Sequence, residues 1–161
     1  MRKTIRQVGD SIFDKRLSQL ATKYPYQSFV VMSAALEFLG KCYNKCTDFQ
    51  KDGNSKTFCN KVIESLSSLK EYRKFDNLYH NLRCGMLHSF VPDGIILCRK
   101  KNNVEDNIIG AQQFCEDLKK AWEELKRKPE LMSFVNKTDV LTVNGVLSGD
   151  TPTETSQELN V

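Results

Sequence analysis

Both histidines of this chain, His80 and His88, and two of its seven arginines, Arg73 and Arg83, fall within one stretch of sixteen residues. Histidine titrates near neutrality, so it can take the proton from a ribose 2′-hydroxyl or give one to a departing 5′-oxygen. Arginine keeps its charge and can hold the negative oxygens that crowd around phosphorus in the transition state. Together these residue types suit cleavage of RNA in which the substrate supplies its own nucleophile. That chemistry calls for no metal and no other cofactor, and no carboxylate cluster suited to magnesium stands beside it.

The element that must position these residues reads as one helix from about Lys70 to Phe90, stopped by Pro92-Asp93-Gly94. Tyr72, Phe75, Tyr79, Leu82 and Met86 follow at steps of three or four and form its core-facing stripe. At about 100° per residue the polar side chains fall into two lines. One is Arg73, Asp76, His80 and Arg83; the other is Asn77, Asn81, Cys84 and His88. Arg83 and His88 would then point about 140° apart, separated by about 7.5 Å along the axis. Either the helix distorts near its end, which Gly85 permits, or a second copy of the chain completes the pair. Gly85 also leaves room for two helices to cross closely. Plainer roles stand beside these: Arg73, Asp76 and His80 suit a surface charge network, His88 suits the carbonyls at a helix C-terminus, and Arg83 suits a pair with an acid elsewhere in the fold.

Arg83-Cys-Gly-Met-Leu-His88 resembles the motif of an arginine, four to six residues and a histidine that marks HEPN domains. The longer stretch Leu78-Tyr-His-Asn-Leu-Arg-Cys-Gly-Met-Leu-His is similar to one bacterial branch of that family. The resemblance covers residues 10 to 92. It implies an up-and-down bundle of four or five helices that forms a homodimer, with an RNA-cleaving site where two motif helices meet. Arg83 and His88 would be the catalytic pair, with Asn81 and Cys84 in support. Arg73 and His80 also satisfy the spacing and are the secondary candidates. A toxin or phage-defence role and an antitoxin partner follow from the resemblance alone, as does the alternative of an inactive HEPN-like module binding RNA, a nucleotide or a protein. Cys84 stands where members often carry Asn, Asp or His. Ser89 and Phe90 stand where members controlled by nucleotidyl transfer carry a tyrosine, which speaks against that form of control.

The remaining chain reads as scaffold. A first helix is expected from Asp10 or Ser11 to Pro25, a second from Tyr26 to about Phe49, and a third after a loop at Lys51-Asp-Gly-Asn-Ser, capped by Asn54 or Ser55. Ile95–Cys98 is a short strand candidate, with residues 104–109 and 140–143 as partners. Between them, residues 111–127 form a periodic helix with Phe114, Leu118, Trp122 and Leu125 inward. Pairs Glu116 with Lys120, Glu123 with Arg127 and Glu124 with Lys128 are expected on its outer side, and a short helical turn over residues 129–134. The fold expected is mainly α with a small β-strand embellishment in the C-terminal half: one domain over residues 1–147 and a flexible polar tail over 148–161.

Composition agrees. Hydrophobic residues make up 40% and charged residues 27% of 161, as in globular domains rather than disordered or fibrous ones. The net charge of +4 is mild, compatible with a phosphate-bearing partner and equally with a solvated surface. The apolar run from Phe29 to Leu39 falls short of the roughly 20 residues a membrane span needs. No apolar signal region follows the basic first residues, so a cytoplasmic protein is expected. Cys42, Cys46, Cys59, Cys84, Cys98 and Cys115 lie in apolar or helical stretches, which favours reduced thiols. Cys42 and Cys46 share a helix face but have no partner pair with zinc-site spacing.

Overall fold

A computed structural model describes residues 2–49, 54–75, 77–137 and 141–142. The first helix, α1 (Ile5–Ile12), begins earlier than expected because Thr4 builds a capping box with Gln7. Gln7 N donates to Thr4 Oγ1 and Thr4 N to Gln7 Oε1, both at 3.0 Å. The chain then turns at Phe13, and Asp14 caps α2 (Lys15–Lys23) by accepting from Arg16 N at 2.7 Å. What reads as one helix is two, because an acid that can satisfy the free N–H groups of a new helix stands at residue 14.

Helix α3 (Pro25–Tyr43) starts with proline at its first turn and ends before the expected Phe49. There Lys45 takes a positive φ of 52° and Cys46 N donates to Lys41 O at 2.9 Å, closing the helix. It is the central element, packed against α2, α4 (Ser55–Ser65), the π-helix described below and α5 (Ala111–Arg127). Phe29, Met32, Leu36 and Leu39 are buried, which explains an apolar sequence running almost all the way round. Gly40 allows α4 to lie close, since a Cβ there would come 2.9 Å from the Phe58 carbonyl carbon. Neither expected cap closes α4: Asn54 makes no side-chain cap, and Ser55 turns its hydroxyl to Glu37.

The single helix expected from Lys70 to Phe90 is also two elements. A 3₁₀ segment, Ser67–Lys74, is anchored by the Glu124 carboxylate, which accepts from Ser67 N at 2.9 Å and from its hydroxyl at 2.8 Å. Phe75 is extended (ψ 128°) and Asn77 is left-handed (φ 44°), so the helical path is interrupted before a π-helix, Tyr79–Ser89. Asp76 lies outside the described residues.

Strands β2 (Ile96–Cys98) and β3 (Ile108–Gly110) pair in parallel, with Ile96 opposite Ile108. The second partner expected for this sheet goes elsewhere: Leu141–Thr142, here β4, pairs antiparallel with β1 (Arg2–Lys3). The rest of the 140–143 candidate and the tail lie outside the described residues. Helix α5 spans the residues expected of it and buries Phe114, Leu118, Trp122 and Leu125. Its surface pairs differ, because nearer acids win. Lys126 contacts Glu123 at 2.6 Å and Asp10 at 2.8 Å, Lys120 lies 3.7 Å from Asp117, and Glu124 is used at Ser67. Helix α6 (Pro129–Val135) completes the helical layer. The protein is therefore mainly helical with a small parallel sheet in its C-terminal half. No helix among the described residues is long and apolar enough to cross a membrane.

Candidate active site at the π-helix

A π-helix closes i to i+5 hydrogen bonds, so each residue advances about 80° rather than 100°. Residues five apart then differ by only about 40° in direction. At ideal π pitch the backbone positions of Arg83 and His88 fall toward one side of the segment, where α-helical geometry would turn them apart. This is the distortion that Gly85 permits, although Gly85 acts through the chain's own return. Val91 N donates to Gly85 O at 3.3 Å, and a Cβ on Gly85 would come 2.5 Å from Val91 O and 3.0 Å from Pro92 Cα. The space expected for a crossing helix is filled by residues 91–93. Phe90, left-handed at φ 57°, makes the turn that sends the chain back.

The same winding moves Asn81. It lies seven positions before His88, which in a π-helix places the two about 160° apart. Asn81 lies instead toward the return: Asp93 N donates to its carbonyl at 3.1 Å, and a Cβ on Gly94 would sit 3.5 Å from its Nδ2. The two expected polar lines thus do not exist as lines, because both assumed unbroken α-helical pitch. Arg73 is exposed on the 3₁₀ segment, beyond the interruption, and His80 is exposed on a different side of the π-helix from Arg83. Cys84, next to Arg83 in the chain, is half-buried.

Arg83 takes the plainer role that was open to it, a pair with an acid elsewhere in the fold, and that acid is Glu37 of α3. Its Nε donates to Glu37 Oε2 at 2.6 Å and its Nη2 reaches the same oxygen at 2.5 Å. Glu37 Oε1 accepts the Ser55 hydroxyl at 2.8 Å and faces Lys41 Nζ at 3.2 Å. Lys41 Nζ also donates to Phe49 O at 2.7 Å. Side-chain exposure is 9% for both Glu37 and Lys41 and 15% for Arg83, so the cluster is largely shielded from water. Burial alone would push the Glu37 carboxyl up, yet the bonds from Ser55, Arg83 and Lys41 outweigh it and hold the group below its ordinary range. Burial likewise works against the Arg83 charge, and the Glu37 contact more than restores it. The Tyr79 ring lies under the guanidinium, 5.5 Å from Cζ to centroid. A signal for this cluster existed: Glu37 stands in an otherwise apolar helix, and a buried carboxylate requires partners.

His88 is exposed at the end of the π-helix, with Phe90 and Val91 beyond it 62% and 61% exposed. The nearby thiol of Cys59 is pushed up to about 12 by burial and by the Glu37 charge, so it stays protonated and is no nucleophile at neutral pH. Burial raises Cys42 as well. Among the described residues no three His, Cys, Asp or Glu side chains gather as metal ligands. A groove of 660 Å³ lies elsewhere, between the 3₁₀ segment and α5, and its lining mixes Lys119, Lys120 and Arg127 with Glu123 and Glu124. Comparison with known proteins returns no matching family, no matching curated protein and no matching solved structure.

Proposed function

We propose that the chain is an HEPN-like, metal-independent endoribonuclease, with Arg83 holding the scissile phosphate and His88 moving the proton. The observation that supports this reading is the π-helix over Tyr79–Ser89, whose pitch is compatible with an exposed His88 on the side of an Arg83 that Glu37 holds in place. In the reaction the RNA 2′-oxygen bonds to phosphorus while the bond to the 5′-oxygen breaks, leaving a 2′,3′-cyclic phosphate and a free 5′-hydroxyl. A neutral His88 accepts the 2′-hydroxyl proton, and a protonated His88 supplies the one the 5′-oxygen requires. In the homodimer that the family resemblance implies, two copies of the chain each give one His88 to one phosphate, so that a neutral and a protonated imidazole are present together. The apolar surface at Phe90 and Val91, next to His88, is where such a partner would be seated. A cytoplasmic toxin or phage-defence protein with an antitoxin partner is the setting that the family resemblance implies.

A second reading has its own support. Glu37 occupies one edge of the Arg83 guanidinium, which suits an inactive module that binds RNA or a nucleotide without cutting it. Purified protein incubated with single-stranded RNA in EDTA between pH 6 and 8 separates the two. Cleavage that ends in a cyclic phosphate and is lost in His88→Ala is the expected result. Intact RNA with measurable binding supports the second reading, and cleavage that survives His88→Ala sinks the first.

A further inference from the structure

Guanidinium offers five N–H donors, and a carboxylate that takes one edge leaves the other. Glu37 Oε2 engages Nε and Nη2 of Arg83, so the edge built on Nη1 is not used by the carboxylate. A lone buried carboxylate in that place would fix the arginine and cancel its charge. Lys41, on the same face of α3 one turn away, contacts the other oxygen of the same carboxylate. Two cations then share one anion, and the cluster retains a formal charge of +1, from Arg83 and Lys41 against Glu37. Orientation and net charge are thereby supplied by different residues.

We infer that Glu37 and Lys41 are the positioning pair of this site: Glu37 fixes the direction of the Arg83 guanidinium toward a phosphate, and Lys41 preserves the positive charge that Glu37 would otherwise cancel. The inference rests on the ribonuclease reading above. Neither residue touches substrate; Glu37 acts through Arg83, and Lys41 acts through the net charge of the cluster. Preorganised donors lose effectiveness when they must be reoriented during the reaction, so loss of Glu37 falls on the chemical step. Loss of Lys41 falls on attraction of the polyanion, because it takes the cluster from +1 to zero.

The test is steady-state cleavage of one short RNA by the full chain and three variants, with circular dichroism to establish that each folds. Glu37→Gln, which keeps size and an acceptor but raises the cluster to +2, should lower kcat by about tenfold or more without raising KM. Lys41→Met should raise KM about threefold or more and leave kcat within about twofold. The double variant Glu37→Gln with Lys41→Met has the wild-type cluster charge, carried by Arg83 alone, and avoids leaving two buried cations without their anion. It should keep a low kcat and return KM to near the wild-type value. A folded double variant with wild-type kcat overturns the positioning role while the ribonuclease reading stands. A merely structural role predicts equal losses of kcat in all three variants with KM unchanged, and that pattern overturns it as well. Wild-type protein that binds RNA and never cleaves it overturns the ribonuclease reading itself, and the catalytic role of the pair with it.

Discussion

Replacing Gly85 by alanine puts one methyl group against the backbone of residues 91–93. The added carbon would lie 2.5 Å from Val91 O and 3.0 Å from Pro92 Cα, well inside van der Waals contact. Backbone atoms cannot rotate away as a side chain can, so the returning segment must shift. Overpacking of this kind costs about 1–3 kcal/mol, and alanine recovers at most about 1 kcal/mol through its better helical propensity. The net expectation is a loss of about 1–2 kcal/mol, or about 0.5–1 M in the urea midpoint if m is near 2 kcal/mol/M. Urea titrations of wild type and Gly85→Ala, followed by circular dichroism at two protein concentrations a hundredfold apart, measure it. The contact lies within one chain, so the difference in midpoint should be the same at both concentrations. An alanine variant as stable as wild type would refute the packing described for residues 91–93. A difference that appears only at the higher concentration would instead place Gly85 against a second copy.

Four further outcomes are expected. Asp10, Glu37 and Glu124 are all held below their ordinary carboxyl range against the opposing effect of burial, by bonds from Lys126 and Trp122, from Ser55 and Arg83, and from Ser67 respectively. Their native pKa values are depressed, so their contribution is full above the unfolded values of 3.8 and 4.5 and is lost below these, as pH falls through the lower native values. The urea midpoint should therefore fall between about pH 5 and pH 3, and less steeply in Glu37→Gln; an equal slope in that variant would contradict the cluster described for Glu37. Asp117, raised by burial despite the hydroxyl of Tyr72 at 2.9 Å, acts with the opposite sign, and Asp117→Asn should steepen the acid-side loss. Gly9→Ala would overlap the ring of Trp122, the only tryptophan of the chain, and should lower stability by about 1–3 kcal/mol with a red-shifted emission. Unchanged fluorescence and midpoint would rule out that contact. In the RNA assay His80→Ala and Arg73→Ala should retain cleavage that His88→Ala and Arg83→Ala abolish, and loss of activity in the first pair alone would move the catalytic roles to Arg73 and His80.

Features governed by local periodicity were legible in the sequence. Helix α5 spans residues 111–127 as expected because a clean apolar stripe of Phe114, Leu118, Trp122 and Leu125 meets Gly110 at one end and Pro129 beyond the other. Thr4-Ile-Arg-Gln7 is also a legible signal, a capping box that marks the true start of α1, and Asp14 marks the start of α2 in the same way. The π-helix was not legible, since a helical wheel presupposes the pitch it is meant to test, and two side-chain lines drawn at 100° dissolve at 80°. Glu37 and Arg83 are 46 residues apart, and only tertiary packing brings α3 against the π-helix. The sequence did carry half of that contact, as a carboxylate in an apolar helix awaiting a partner.

The wider winding of the π-helix also turns motif spacing into an adjustable quantity. In an α-helix residues four apart lie about 40° from one another, and in a π-helix residues five apart do nearly the same. One added residue between an arginine and a histidine is therefore absorbed as girth, and the two side chains keep their common side. Removing Leu87 and letting the segment relax to α-helical pitch would restore the same alignment with a shorter interval. A spacing rule that tolerates several lengths is what such a helix would write into sequences, with the loosened turn acting as the gauge that reconciles them.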